Sequence, residues 1–263
     1  MHSDVFDLSD RVVVITGGGR GLGVTMAEAV ADRGARVAIL SRRLEPLQNE
    51  ANVLNEKYGN GTATAIQCDV SDEDSVIEAV RQIKSEFGRA DALINNAGIT
   101  WGESIQSIDR SRWDKVLSTN LTGTMLVSRH LLPLLAESPL ASIVAVSYAT
   151  AARGVPFMGA ASYTASKAAT EQFVREAAVA WAPENVRVNA LRLGFFGSDM
   201  TEAFLAQGDN RKSADNLAAL GRIGRPDELV GAILFLVSGA SSYMTGSILT
   251  LDGGALAQMG PRL

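Results

Sequence analysis

Cysteine and histidine are nearly absent from this 263-residue chain, and each shortage excludes a class of chemistry. The one thiol, Cys68, has no partner within the chain, so there is no internal disulfide framework, and a reducing, cytoplasmic setting is expected. With only two histidines, His2 and His130, a histidine-built metal site and a Ser-His-Asp hydrolase are both excluded, and no metal is expected. No block of like charge occurs, and a net charge of -5 argues against a nucleic-acid partner. The apolar run 232–237 is far too short to span a bilayer, and the first ten residues are acidic where a secretory leader would be basic. Linkers, repeats and low-complexity tracts are missing too, which predicts one domain over residues 1–263.

What is present is apolar content and alternation. The chain is 46% hydrophobic, and one of this length buries roughly 70–75% of its unfolded surface without disulfides or metals. Short runs rich in valine and isoleucine at 12–16, 36–40, 64–67, 92–95, 142–146, 187–191 and 247–251 predict strands. Stretches with helical period lie between them, at 22–32, 44–58, 75–87, 113–135, 162–180 and 227–237. Ser71 to Asp74 predicts a capping box before the third helix, and Pro226 suits a first helical turn. Alternation of this kind means βαβ crossovers, hence an α/β fold: a doubly wound parallel sheet with helices on both faces. Residues 194–221 form a long insertion before the last strand, read as a lid over the substrate.

Between the first strand and the first helix lies Thr16, Gly17, Gly18, Gly19, Arg20, Gly21, Leu22, Gly23. Glycines there allow a tight turn and a close backbone approach, so that the helix-start N–H groups face a pyrophosphate. The spacing is T-G-x-x-x-G-x-G. Asn95, Asn96, Ala97 and Gly98 follow the fourth strand, then come Asn120, Tyr163 with Lys167, and Asp252, Gly253 and Gly254. These motifs, in this order from Leu8 to Gly254, resemble the short-chain dehydrogenase/reductase family. The resemblance implies a single Rossmann-type domain, a nicotinamide cofactor and a homotetramer.

Tyr163 and Lys167 are spaced i, i+4, which puts both on one helix face. An ammonium about 5 Å from a phenol, at an effective dielectric of 20, favours the phenolate by roughly 3 kcal/mol, or roughly 2 pKa units. The resemblance makes Tyr163 the acid/base that protonates the carbonyl oxygen, and Lys167 its partner and the holder of the nicotinamide ribose. Asn120, a poor residue for a helix interior, then holds a local distortion and a relay water. The family places a serine after the fifth strand to bind the substrate carbonyl, and here the pattern departs. Counting from the strand end reaches Tyr148, counting back thirteen residues from Tyr163 reaches Thr150, and Ser147, the only serine, is the first choice.

The expected cofactor contacts are Gly17, Gly19, Arg20, Gly21, Leu22 and Gly23 in the loop, then Asn96, Ala97 and Gly98. Asp69 and Val70 match an adenine-contacting pair, while Gly194, Phe196 and Ser198 fall at the nicotinamide end, with Ser198 replacing the usual threonine. An NAD site usually ends its second strand on an acid, but this strand ends Ser41, Arg42, Arg43. Arg42 and Arg20 could bracket a 2′-phosphate, so NADP is favoured over NAD. Trp101, Phe157, Phe195, Met200 and Phe204 are candidate substrate walls, which suit a hydrophobic ketone or secondary alcohol. The runner-up is a 3-oxoacyl-thioester reductase. The rival of another class is a cofactor-binding sensor or scaffold without turnover.

Overall fold

Five consecutive apolar or β-branched residues make β1 (Val12–Thr16), every one of them buried. The computed structural model describes residues 4–154 and 159–258. Strands β2 (Arg36–Ser41), β3 (Ala63–Gln67), β4 (Ala92–Asn95), β5 (Ser142–Tyr148), β6 (Arg187–Leu193) and β7 (Ile248–Leu251) complete a seven-stranded sheet in the order 3-2-1-4-5-6-7. All neighbouring strands run parallel. Strands buried on both faces have no polar side to alternate with, which is why they read as continuous apolar runs.

Helices α1 (Leu22–Ala31), α2 (Leu44–Tyr58), α3 (Glu73–Phe87), α4 (Arg110–Leu117), α5 (Gly123–Leu135), α6 (Ala161–Ala180), α7 (Asp199–Leu205), α8 (Asn210–Leu217) and α9 (Val230–Val237) follow in chain order. Two apolar layers enclose the sheet. Leu93, Ile143, Val127 and Val174 belong to one, and Ile15, Ile39, Met26 and Ile233 to the other. The lower edge is tied by Asp91, whose buried carboxylate accepts from the Val12 N–H at 2.9 Å and the Ser138 hydroxyl at 2.6 Å.

Three sequence expectations shift. The α3 cap is Asp72, which accepts from the Asp74 N–H, while the Ser71 hydroxyl bonds back to Asp69. The helix expected over 113–135 is two helices joined by a π-helical turn at Ser118–Thr122, with Asn120 at its centre. β5 and β6 also run two residues past their expected ends, to Tyr148 and Leu193. That extension carries them to the rim where β1 and β4, neighbours that are not consecutive in sequence, diverge into opposite crossovers. A doubly wound sheet opens its binding crevice at such a switch point.

Candidate active site

The glycine loop closes over the end of β1 by contacts that admit no side chain. A Cβ on Gly23 would sit 2.1 Å from the Gly17 carbonyl oxygen, and Gly17 itself has a φ of 69°, which disfavours other residues. The loop is pinned across the switch point: the Thr16 hydroxyl accepts from the Asn96 and Ala97 N–H groups at 3.1 and 3.0 Å. The Asn96 amide donates to the Thr16 and Gly17 carbonyls in return. Gly23→Ala must therefore push the loop off α1, and we expect at least a tenfold loss of cofactor affinity by fluorescence titration in a chain that still folds.

From this loop a cleft of about 510 Å³ runs between the sheet ends, lined at one end by Arg20, Ser41, Arg42, Arg43, Asp69 and Val70. Among the described residues, the Arg20, Arg42 and Arg43 guanidinium groups form no ion pair or hydrogen bond within the chain, and all three residues are exposed. Arg43 was missed by sequence reasoning, since only the strand tip was weighed. Asp69 is engaged with Ser71, whose N–H and hydroxyl it accepts at 3.0 and 2.6 Å.

At the other end the cleft reaches Tyr163 and Lys167 on α6, with Gly98, Ser198, Gly194 and Phe196. The Lys167 ammonium donates to the Val146 carbonyl at 2.6 Å and lies 5.6 Å from the Tyr163 ring centroid. Asn120 is locked from both ends: its Oδ1 accepts from the Ile99 N–H at 2.8 Å, and its Nδ2 donates to the Ile99 carbonyl and the Ser166 hydroxyl, each at 3.0 Å. A π-helical turn leaves the ladder slack, and the amide fills that role. Gly98 is where they converge, since a Cβ there would lie 3.4 Å from Asn120 Oδ1 and 3.7 Å from Lys167 Nζ.

Burial governs the proton equilibria. It pushes the Tyr163 phenol up from its ordinary 10.0 and brings the Lys167 ammonium down to about 8. The spacing of the two residues suggested a lowered phenol, but burial works the other way and raises it. At neutral pH the pair is thus a neutral phenol beside a largely protonated amine. The folded protein binds fewer protons at Lys167 than the unfolded chain between about pH 8 and 10.5, so this group makes stability rise with pH across that window. Relative to Lys167→Met, wild type should gain about 3 kcal/mol as pH crosses it, read by denaturant unfolding of both proteins.

The serine expected to bind a carbonyl has another partner. Ser147, 2% exposed, donates its hydroxyl to Glu171 at 2.7 Å. Successive strand residues face opposite ways, and it is Tyr148 whose ring packs edge-on against Tyr163, with centroids 5.7 Å apart. Thr150 is buried, and its hydroxyl lies 3.2 Å from that of Thr164.

Beyond Tyr163 an aromatic chain leads to α7. Tyr148 meets Phe195 edge-on at 5.6 Å, and Phe195 stacks on Phe204 of α7 at 6.1 Å. Tyr148, Phe195 and Phe196 also line a second hollow with Ala214, Leu217 and Leu220. Trp101 lines neither of these two hollows, and the Arg112 guanidinium lies 5.2 Å from the centroid of its ring. Phe157 and the Met200 side chain lie outside the described residues. Thr201, unforeseen from sequence, borders the cleft and accepts from the Ser198 N–H at 3.0 Å, so that it anchors the start of α7.

This geometry has close relatives. The family model described as enoyl-(acyl carrier protein) reductase matches residues 17–255. The chain belongs to the short-chain dehydrogenase/reductase family. It is 35% identical to a gluconate 5-dehydrogenase of Gluconobacter oxydans over 96% of this chain and 97% of that one. It is 36% identical to a cyclopentanol dehydrogenase of Comamonas testosteroni over 95% and 98%. Among solved structures, a gluconate 5-dehydrogenase from Burkholderia cenocepacia in complex with NADP and tartrate superposes with a TM-score of 0.92, at 27% identity, covering 97% and 99%. As a short-chain dehydrogenase/reductase, the protein is a nicotinamide-dependent oxidoreductase acting on CH–OH and C=O groups.

Proposed function

We propose that this enzyme uses NADP to interconvert a hydrophobic ketone and its secondary alcohol. The aromatic chain from Tyr163 through Tyr148 and Phe195 to Phe204 carries the substrate reading. Such a wall offers apolar surface and few groups to satisfy the hydroxyls of a free sugar, each of which costs free energy when buried unpaired. The three unpaired arginines at the far end support NADP, as does the NADP in the Burkholderia cenocepacia structure.

The glycine loop fits a dinucleotide because a Cβ on Gly23 would close the cradle. Gly17, Gly19, Gly21 and Leu22 would hold the pyrophosphate, Arg20, Arg42 and Arg43 the 2′-phosphate, and Asn96, Ala97, Ser198 and Lys167 the nicotinamide half. A bound nicotinamide would supply a hydride to the carbonyl carbon in its reduced form and accept one from the carbinol carbon in its oxidised form. Tyr163 gives its phenolic proton to the carbonyl oxygen during reduction and takes it back in oxidation. The Lys167 ammonium, held on the Val146 carbonyl, stabilises the phenolate left behind. Asn120 keeps the π-helical turn open next to Lys167, so that a proton can be replaced from solvent. Since Ser147 is engaged with Glu171, Tyr148 supplies the second hydroxyl to the substrate oxygen.

A panel of apolar ketones and cyclic alcohols, with sugar acids alongside, read by the absorbance of the reduced nicotinamide, tests this reading. Turnover confined to sugar acids would overturn the substrate class. We also place the enzyme in a reducing, cytoplasmic setting, on the unpaired buried thiol of Cys68. We propose a homotetramer as well, because β7 is an edge strand with Leu249 and Leu251 only half-buried. A monomeric mass by light scattering at micromolar concentration would contradict it.

A further inference from the structure

One turn beyond Lys167, on the same face of α6, stands a carboxylate that the proton chemistry does not use. Glu171 is 4% exposed, and Arg192 of β6 grips it with two hydrogen bonds, from Nε at 2.7 Å and Nη2 at 2.5 Å. The hydroxyl of Ser147, directly opposite Arg192 in the β5–β6 register, adds a third at 2.7 Å. Three elements thus meet at one buried ion pair. A pair of this kind roughly breaks even against apolar residues of similar volume, so stability alone gives no reason for it.

Its neighbours supply the reason. The residues flanking Ser147 both touch the catalytic face: the Val146 carbonyl receives the Lys167 ammonium at 2.6 Å, and the Tyr148 ring packs on Tyr163. Whatever fixes residue 147 therefore fixes both contacts. We propose that the Glu171–Arg192 pair is a positioning device: through Ser147 it sets the end of β5 against α6, and its matched charges keep the Arg192 cation from acting on the Tyr163/Lys167 pair. The inference rests on the reading of Tyr163 and Lys167 given under Proposed function.

Among the described residues, Tyr163 and Glu171 stand one turn to either side of Lys167 on its own helix, Tyr148 of β5 packs on Tyr163, and Arg192 of β6 is held by Glu171. Asp252, following β7, acts on Arg192 in turn. A cation left alone at Arg192 favours phenolate over phenol and amine over ammonium, so both groups would titrate at lower pH.

Two variants separate positioning from stability. Glu171→Gln keeps the shape and removes one charge. Its kcat should fall at least about tenfold with KM little changed, and its kcat–pH profile should move to lower pH by about one unit. The double variant Glu171→Leu/Arg192→Leu removes both charges. It should unfold at a temperature no lower than wild type, regain the wild-type pH profile and still lose about tenfold in kcat, because Ser147 has lost its anchor. If Glu171→Gln does not fold, the double variant decides. Wild-type kcat in the folded double variant, or an unmoved profile in Glu171→Gln, overturns the proposal. Tyr163→Phe in the same assay distinguishes the failures. If that variant stays active, the reading of the site is wrong; if it is inactive while the Glu171 variants match wild type, only the positioning role is wrong.

Discussion

Tyr163→Phe is expected to lower kcat by about a thousandfold while leaving cofactor affinity within a few-fold of wild type. The substitution removes one oxygen and keeps the ring, so the packing on Tyr148 survives and only proton transfer is lost. General acid–base catalysis contributes roughly a hundred- to ten-thousandfold, which brackets the expected fall. The buried phenol sits above its ordinary 10.0, and so it serves as a proton donor throughout the neutral range. Reduction in wild type should accordingly hold up to at least neutral pH and decline as Lys167, at about 8, loses the proton that stabilises the phenolate. A Tyr163→Phe variant with wild-type kcat would remove the tyrosine from the mechanism.

Arg42→Ala is expected to weaken NADP binding by about ten- to a hundredfold and to leave NAD nearly unchanged. A charge-assisted hydrogen bond contributes roughly 1.5–3 kcal/mol, and each 1.4 kcal/mol is about tenfold in affinity. The arginines are exposed, so screening should hold the loss toward the lower figure at physiological salt and raise it at low ionic strength. Because Arg43 lines the same end of the cleft, Arg42→Ala/Arg43→Ala should lose more than the single variant. The decisive quantity is the ratio of catalytic efficiencies with the two cofactors at fixed ionic strength. A wild type that prefers NAD, with a ratio indifferent to Arg42, would make these side chains ordinary solvated surface groups.

The polar couplings were hidden where the strands were not. Ser147 looked like the carbonyl donor on residue type alone, while counting from the strand end and back from Tyr163 reached Tyr148 and Thr150. Strand alternation, and above all the presence of Glu171 across the gap, gave its hydroxyl another partner. Glu171 itself drew no attention as one acidic residue in an amphipathic helix, and nothing in the sequence tied Arg192 to it. Their pairing depends on α6 crossing β5 and β6 at one height, which no local pattern records. Trp101 likewise read as a pocket wall, and no signal in the sequence showed that Arg112 of α4 would stack over it.

What the sequence determined by itself was everything carried by period and by backbone permission. β-branched runs buried on both faces fixed the parallel strands, and the glycines of residues 17–23 marked the dinucleotide turn, because only their backbones permit it. The i, i+4 spacing put Tyr163 and Lys167 on one face, whereas the π-helical break at Asn120 lies inside a periodic pattern that ran unbroken over 113–135. Only the tertiary structure decided which ring packs on Tyr163, in which direction burial moves its proton equilibrium, and where the buried Glu171–Arg192 pair lies. Those are long-range quantities: desolvation and ion pairing depend on which elements stack over a residue, and that is settled by packing between segments far apart in the chain.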